Sequence, residues 1–240
     1  MKTNHLFFLV TLVLLASCHQ EEPVADIQQQ DVIENWKKAS PEETFKKAEN
    51  GFSISKQAIK QALELPEVTT IRFVLEVDND VLQIRVVGAD QYGNTSKGML
   101  AKPISLEKTI NKLFSEKEKH FDTTPFSKAV SSHIMQPEDA AVFISRWQDQ
   151  WRDKSLEETI AYHGMRIEHF SMPAAVGEQI LQSGSKNVNL VWGVNPQGKF
   201  TTVFLPELDE EGKLLKPGSF IYEYLTPCPP TCPTKPPTRS

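Results

Sequence analysis

The chain has 240 residues, 39% of them hydrophobic and 24% charged, with a formal net charge of −5. That balance excludes a disordered chain and leaves enough apolar material for one hydrophobic core. Acidic residues outnumber basic ones and no basic stripe offsets them, which argues against a nucleic-acid partner.

Lys2 and the amino terminus make a short positive region, and residues 6–16 are apolar apart from Thr11. A run of roughly 11 residues is about half of what a helix needs to span a bilayer, and has the length of a secretory h-region. Small residues follow, then a cysteine: Leu15-Ala16-Ser17-Cys18. In this tetrapeptide behind its h-region the chain resembles bacterial lipoproteins and their lipobox. The resemblance is confined to the first residues of the chain. It implies cleavage after residue 17, a diacylglycerol on the Cys18 sulfur and a fatty acyl group such as palmitate on the new amino group. One acyl chain binds a membrane marginally, whereas two or more anchor it stably. The next residues are His19-Gln20-Glu21-Glu22. With no Asp after the cysteine, the usual inner-membrane retention signal is absent. The acidic run is similar to the surface-export signal of Bacteroidota lipoproteins. The expectation is therefore an outer-membrane anchor, facing the periplasm or the cell surface, with the membrane as partner through the lipid on Cys18.

Residues 18–30 are acidic and Gln-rich without apolar periodicity, and read as a flexible tether. Asp31 with Glu34 forms a capping box for a helix carrying Val32, Trp36 and Ala39. Ser40-Pro41-Glu42-Glu43 starts a second helix that ends before Gly51. Ser55 starts a third, with Ile54 and Ile59 as a staple, Ala58, Ile59, Ala62 and Leu63 as its buried stripe, and Pro66 as its stop. The helices of 31–65 are expected as an annex to the main domain.

Residues 68–89 alternate as a hairpin around Asn79-Asp80. In that register Val77 faces Leu82, Leu75 faces Ile84 and Phe73 faces Val86, all on one side. Arg72, Glu76, Gln83 and Arg85 take the other, half-solvated face, with Glu76 diagonal to Arg85. Ser105 is the expected cap of a helix carrying Leu106, Ile110, Leu113 and Phe114. A short helix is expected within 126–134, and a longer one over 137–152 with Ala140, Phe143, Ile144, Trp147 and Trp151 on one face. Ser155 and Glu158 form a capping box for a helix ending at Gly164. Residues 165–171 alternate as a strand, and Pro173 starts a helix with Val176 and Ile180 inward. A second hairpin spans 188–205 around Asn195-Pro196-Gln197-Gly198, pairing Val194 with Phe200, Trp192 with Thr202 and Leu190 with Phe204. Apolar residues on both faces make it the more central hairpin. Residues 209–213 turn, and 219–225 form a last strand carrying Phe220, Tyr222 and Tyr224. From 227 to 240 the chain reads as an extended Pro-rich tail.

The fold class expected is α+β: an antiparallel sheet of two hairpins plus a last strand, packed with amphipathic helices, in a single domain over 31–226.

Chemistry-bearing motifs are sparse. Cys228 and Cys232 are an even pair in an exported chain, where disulfides persist. Three intervening residues, two of them Pro, do not suit a thioredoxin-type site, and too few further ligands lie near for zinc. A disulfide closing so small a loop contributes about 2 kcal/mol in the chain-entropy model. His163, Glu168 and His169 are the densest group of catalytic-type residues. His163 falls at an expected helix carboxyl end, and adjacent strand residues Glu168 and His169 point to opposite faces. Asp78-Asn79-Asp80 has calcium-loop residues, but Val81-Leu82 breaks the oxygen pattern and a turn explains it better. The sequence has no Gly-x-Ser-x-Gly elbow and no phosphate-binding glycine loop. Trp147 and Trp151 at helical spacing read as core, and Tyr222 and Tyr224 as better candidates for a partner surface. The functional expectation is an envelope lipoprotein acting as a non-enzymatic binding or interaction module, with no cofactor and no metal. The alternatives are an envelope hydrolase working near His163, Glu168 and His169, and a protein inhibitor or immunity-type lipoprotein.

Overall fold

The structure, a computed structural model, describes residues 24–47, 51–150, 156–215, 218–223 and 225–232, with backbone alone for 24–29 and 46–47. The lipobox, Trp151, Ser155, Tyr224 and residues 233–240 lie outside the described residues.

Helix α1 (Val24–Lys38) starts ahead of Asp31, so the helix extends into the segment read as a tether. Ser40 Oγ accepts from the Glu43 N–H and opens α2 (Pro41–Lys47). A strand not expected from the sequence, β1 (Phe52–Ser55), comes next, with Phe52 and Ile54 buried and Ser53 and Ser55 half-buried. Ser55 then caps α3 (Lys56–Leu63), its Oγ accepting from Ala58 N at 3.1 Å. The stripe of Ala58, Ile59 and Ala62 is buried, and Ile54 and Ile59 are both 0% exposed, as the staple requires.

The first hairpin, β2 (Val68–Asp78) and β3 (Val81–Asp90), has the expected register: Val77 opposite Leu82, Leu75 opposite Ile84, Phe73 opposite Val86. Its turn uses Asn79 and Asp80 at φ 49° and 61°, the pair of left-handed conformations that a two-residue turn of matching twist needs. Short strands β4 (Met99–Leu100) and β5 (Lys102–Pro103) lead to α4 (Glu107–Glu116). Ser105 does not cap α4: the N-cap is Leu106, which has no side-chain cap bond and is 1% exposed. Burying Leu106 beside Ile110 and Leu113 decides where this helix starts.

After α5 (Lys128–Ser131) and β6 (Ile134–Met135) comes α6 (Pro137–Gln150), with Ala140, Phe143, Ile144 and Trp147 buried as predicted. Next, α7 (Leu156–Thr159) is one turn long and ends before Gly164. Residues His163 and Gly164, at φ 50° and 77°, instead turn the tiny hairpin β7 (Ala161–Tyr162) and β8 (Met165–Arg166). The 165–171 strand is thus split, its second part being β9 (His169–Pro173), followed by α8 (Ala174–Gln182). The second hairpin, β10 (Asn187–Val194) and β11 (Phe200–Pro206), pairs Val194 with Phe200, Trp192 with Thr202 and Leu190 with Phe204, and β11 is buried along its whole length. The last strand shrinks to β12 (Ile221–Tyr222), and the head of the tail forms β13 (Thr226–Cys228).

The chain is α+β with antiparallel sheets. The two hairpins fall in two sheets: β5-β1-β10-β11-β12-β6 (sheet A) and β13-β9-β2-β3-β4 (sheet B). Their inner faces share one core, in which Phe73 of sheet B meets Phe204 of sheet A at 4.7 Å between ring centres, and Phe170 meets Phe200 at 5.5 Å. Phe200 is the hub, also touching Phe45, Trp147 and Trp192. The segment 31–65 is built into this core through Trp36, Phe45, Phe52 and Ile59. Outside sheet A, α4 and α6 bury Val191, Val203 and Leu205 in a second apolar layer. No helix among the described residues is long and apolar enough to cross a membrane.

Candidate functional site

Where β1 and the start of β10 run past α4, the outer face of sheet A is left uncovered and turns polar. Strand alternation explains the change. Phe52 and Ile54 point into the core, so Ser53 and Ser55 point out, and direct pairing sets them opposite Asn189 and Asn187. Lys102 sits opposite Ser53 on the other side. Glu207, just past β11, accepts from Asn187 Nδ2 at 3.1 and 3.2 Å. With Thr109 on the α4 side, these groups line a cleft of about 510 Å³ over Ile104 and Leu106. The volume is that of a small-molecule site. Its hydroxyls and amides both donate and accept, and it holds one ammonium and one carboxylate. That chemistry suits recognition of a polar, hydroxyl- or amide-bearing ligand. Ser55 Oγ is committed to the helix cap, so it is not poised as a nucleophile.

A smaller cleft of about 320 Å³ opens beside the core, walled by Phe143, Phe170, Phe200 and Tyr162. Its polar side is Thr201, whose hydroxyl donates to Glu223 Oε1 at 2.5 Å. Burial raises the Tyr162 phenol above its ordinary value, against a hydrogen bond with Asn195. A larger hollow, about 770 Å³, lies against the acidic turn of Glu207, Asp209, Glu210 and Glu211. There the Asp209 carboxylate accepts from the Glu211 and Lys213 N–H groups, as in an Asx turn. Among the described residues no group of three or more His, Cys, Asp or Glu is placed to hold a metal.

The residues singled out by chemistry do not converge. His163 is exposed at the β7–β8 turn and does not end a helix. Glu168 is half-buried and pairs with Lys37 at 3.1 Å. His169 is 9% exposed on the other face of its strand, where burial and then the Arg72 charge press its pKa down to about 4. No hydrogen bond links any two of the three among the described residues. Cys228 and Cys232 lie at disulfide-bonding distance with Cα atoms 4.7 Å apart, at the end of β13. Tyr222 is 3% exposed and part of the core, so the partner-surface reading of that residue is corrected. Trp147 is core, as expected. Asn79 Nδ2 donates to Asp78 Oδ1 within the hairpin turn.

The cleft residues Ser53, Lys102, Asn187, Asn189 and Glu207 were not singled out by sequence reasoning. A faint signal exists in the polar–apolar alternation of Phe52-Ser53-Ile54-Ser55 and Asn187-Val188-Asn189. Four residues beside a strong helix start read first as a lead-in to that helix. Comparison of the chain with protein-family models, with curated proteins and with solved structures finds no match.

Proposed function

We propose that the chain is an acylated lipoprotein of a Gram-negative envelope, whose folded part is a non-enzymatic binding module taking a polar ligand in the cleft between α4 and sheet A. The observation that carries the reading is Leu15-Ala16-Ser17-Cys18 placed directly behind the apolar run of residues 6–16. Two features support it. Helix α1 begins at Val24, close behind Cys18, and Trp36 on that helix is 0% exposed, its Nε1–H donating to Ile167 O at 2.7 Å. A lipid on Cys18 would hold the folded part near the bilayer. The cleft, in turn, offers paired hydroxyls and amides, and its Ser55 Oγ accepts the helix-cap bond from Ala58 N.

The test is fractionation of wild type and Cys18→Ala expressed in a Gram-negative host with labelled palmitate. The wild-type chain should carry label and sediment with membranes after carbonate extraction, and Cys18→Ala should lose both. An unlabelled wild-type chain that stays in the soluble fraction refutes the reading.

A further inference from the structure

The cleft between α4 and sheet A is lined by two polar side chains that are buried and unanswered. Asn189 is 3% exposed and Thr109 is 6% exposed, and neither side chain makes a hydrogen bond among the described residues. Leu190 lies in the core opposite Phe52, so Asn189 beside it points out of sheet A, while Thr109 comes from α4. An amide so far withdrawn from bulk water is completed best by a partner that both donates and accepts, and a peptide group does both.

The cleft's two charges stand on opposite sides of that amide. Lys102 on β5 shares the row Lys102–Ser53–Asn189, and Glu207 follows β11 on the far side of β10. Neither makes an ion pair among the described residues, where Glu207 is met by the neutral Asn187 amide. In the order β5-β1-β10-β11, three strand spacings separate the outer two strands, or about 14 Å. An extended peptide of two or three residues spans roughly 7–11 Å, and the long Lys102 side chain is able to close the rest. The apolar wall of the cleft is aliphatic, made by Leu100, Ile104 and Leu106, and suits a peptide side chain. A neutral sugar offers hydroxyls but would leave Lys102 and Glu207 unmatched.

We propose that the cleft binds a short free peptide, a di- or tripeptide with both termini charged. Its carboxylate pairs with Lys102, its amino group pairs with Glu207, and its peptide group bonds to the Asn189 amide beside the Ser53 and Thr109 hydroxyls. The proposal rests on the cleft being a polar-ligand site and names the ligand.

The test uses the full-length chain in detergent with nitrogen-labelled asparagine, the Asn189 side-chain signal being assigned with Asn189→Ala. Trialanine should move that signal saturably, with Kd of about 1 mM or tighter. Trialanine amide and N-acetyl-trialanine, each lacking one charge, should bind about tenfold more weakly. Lys102→Gln should weaken trialanine about tenfold and leave the affinity for trialanine amide unchanged; Glu207→Gln should weaken trialanine likewise and leave N-acetyl-trialanine unchanged. Loosened packing would not reproduce that match between variant and blocked terminus. Lys128→Gln, exposed and outside the cleft, should have no effect. N-acetylglucosamine is the second probe. A shift with it and none with trialanine overturns the peptide assignment and leaves the polar-ligand reading of the cleft standing, whereas no shift with either overturns both. Trialanine binding that is unchanged by blocking its termini, or unchanged in Lys102→Gln and Glu207→Gln, also overturns the proposal.

Discussion

Gly88→Ala is the substitution that most sharply tests how α3 docks on sheet B. Gly88 lies on the core face of β3 opposite Ile71, and a Cβ built there would sit 1.8 Å from the Ala62 carbonyl oxygen and 2.8 Å from its carbon. A carbon and an oxygen in ordinary contact stand about 3.3 Å apart. The helix must therefore recede by roughly 1.5 Å, and both obstructing atoms are backbone, so no side-chain rotation relieves the clash. Moving α3 outward also loosens Ala58 and Ile59, which are 2% and 0% exposed. Overpacking of this kind costs typically 1–3 kcal/mol, and the backbone contact places Gly88→Ala at the upper end, about 3 kcal/mol. The gain from restricting the unfolded chain, roughly 0.4–1 kcal/mol, offsets part of it and leaves about 2 kcal/mol net. In a chain of this size that lowers the melting temperature by roughly 4–8 °C. The assay is urea unfolding followed by tryptophan fluorescence, with Gly184→Ala as control, since nothing lies within 4 Å of a Cβ there. A Gly88→Ala midpoint matching both wild type and Gly184→Ala would refute the close helix–strand approach.

Three further outcomes follow from the packing and charge. Phe200→Ala, at the hub of four aromatic contacts and 1% exposed, should lower unfolding free energy by roughly 3–5 kcal/mol in the same assay; a loss under 1 kcal/mol would mean the ring cluster is not the core. Glu76→Ala strands the Arg85 guanidinium and should cost roughly 3–5 kcal/mol, with Glu76→Leu/Arg85→Leu costing less than either single leucine change; additive costs in that double-mutant cycle would show the pair is uncoupled. His169 has a folded pKa of about 4, below the 6.5 of the free side chain. Between those values the unfolded chain holds a proton that the folded chain refuses, so this contribution is present above about pH 6.5 and lost as pH falls toward 4, up to ~3 kcal/mol in all. His169→Gln should flatten the stability profile in that window, and an unchanged slope would contradict the burial.

The two hairpins were legible because their information is local. The turn residues Asn79-Asp80 and Asn195 to Gly198 set each register, and alternation then sorts the faces. Which sheet each hairpin joins was not legible, because that is decided by aromatic residues far apart in sequence, such as Phe73 and Phe204. Two-residue strands such as β12, and β13 inside a Pro-rich run, exist only through the partners they pair with. His163 was misplaced because a helix end and a tight hairpin turn both favour Gly164, and the pairing of Tyr162 with Met165 decides between them. Glu76 was expected on a half-wet face and is 0% exposed, its charge answered by Arg85. The polar cleft escaped notice for a related reason: Ser53 and Asn189 become neighbours only when β1 pairs with β10.

The measurement that tests the central claim most directly is the intact mass of the protein purified from its native membrane, taken with protease accessibility on whole cells. The account predicts a mature chain beginning at Cys18 and carrying added acyl mass, with digestion in intact cells marking surface display and protection until permeabilisation marking the periplasmic face. A chain that retains residues 1–17, or one that starts at Cys18 without acyl mass, would contradict it.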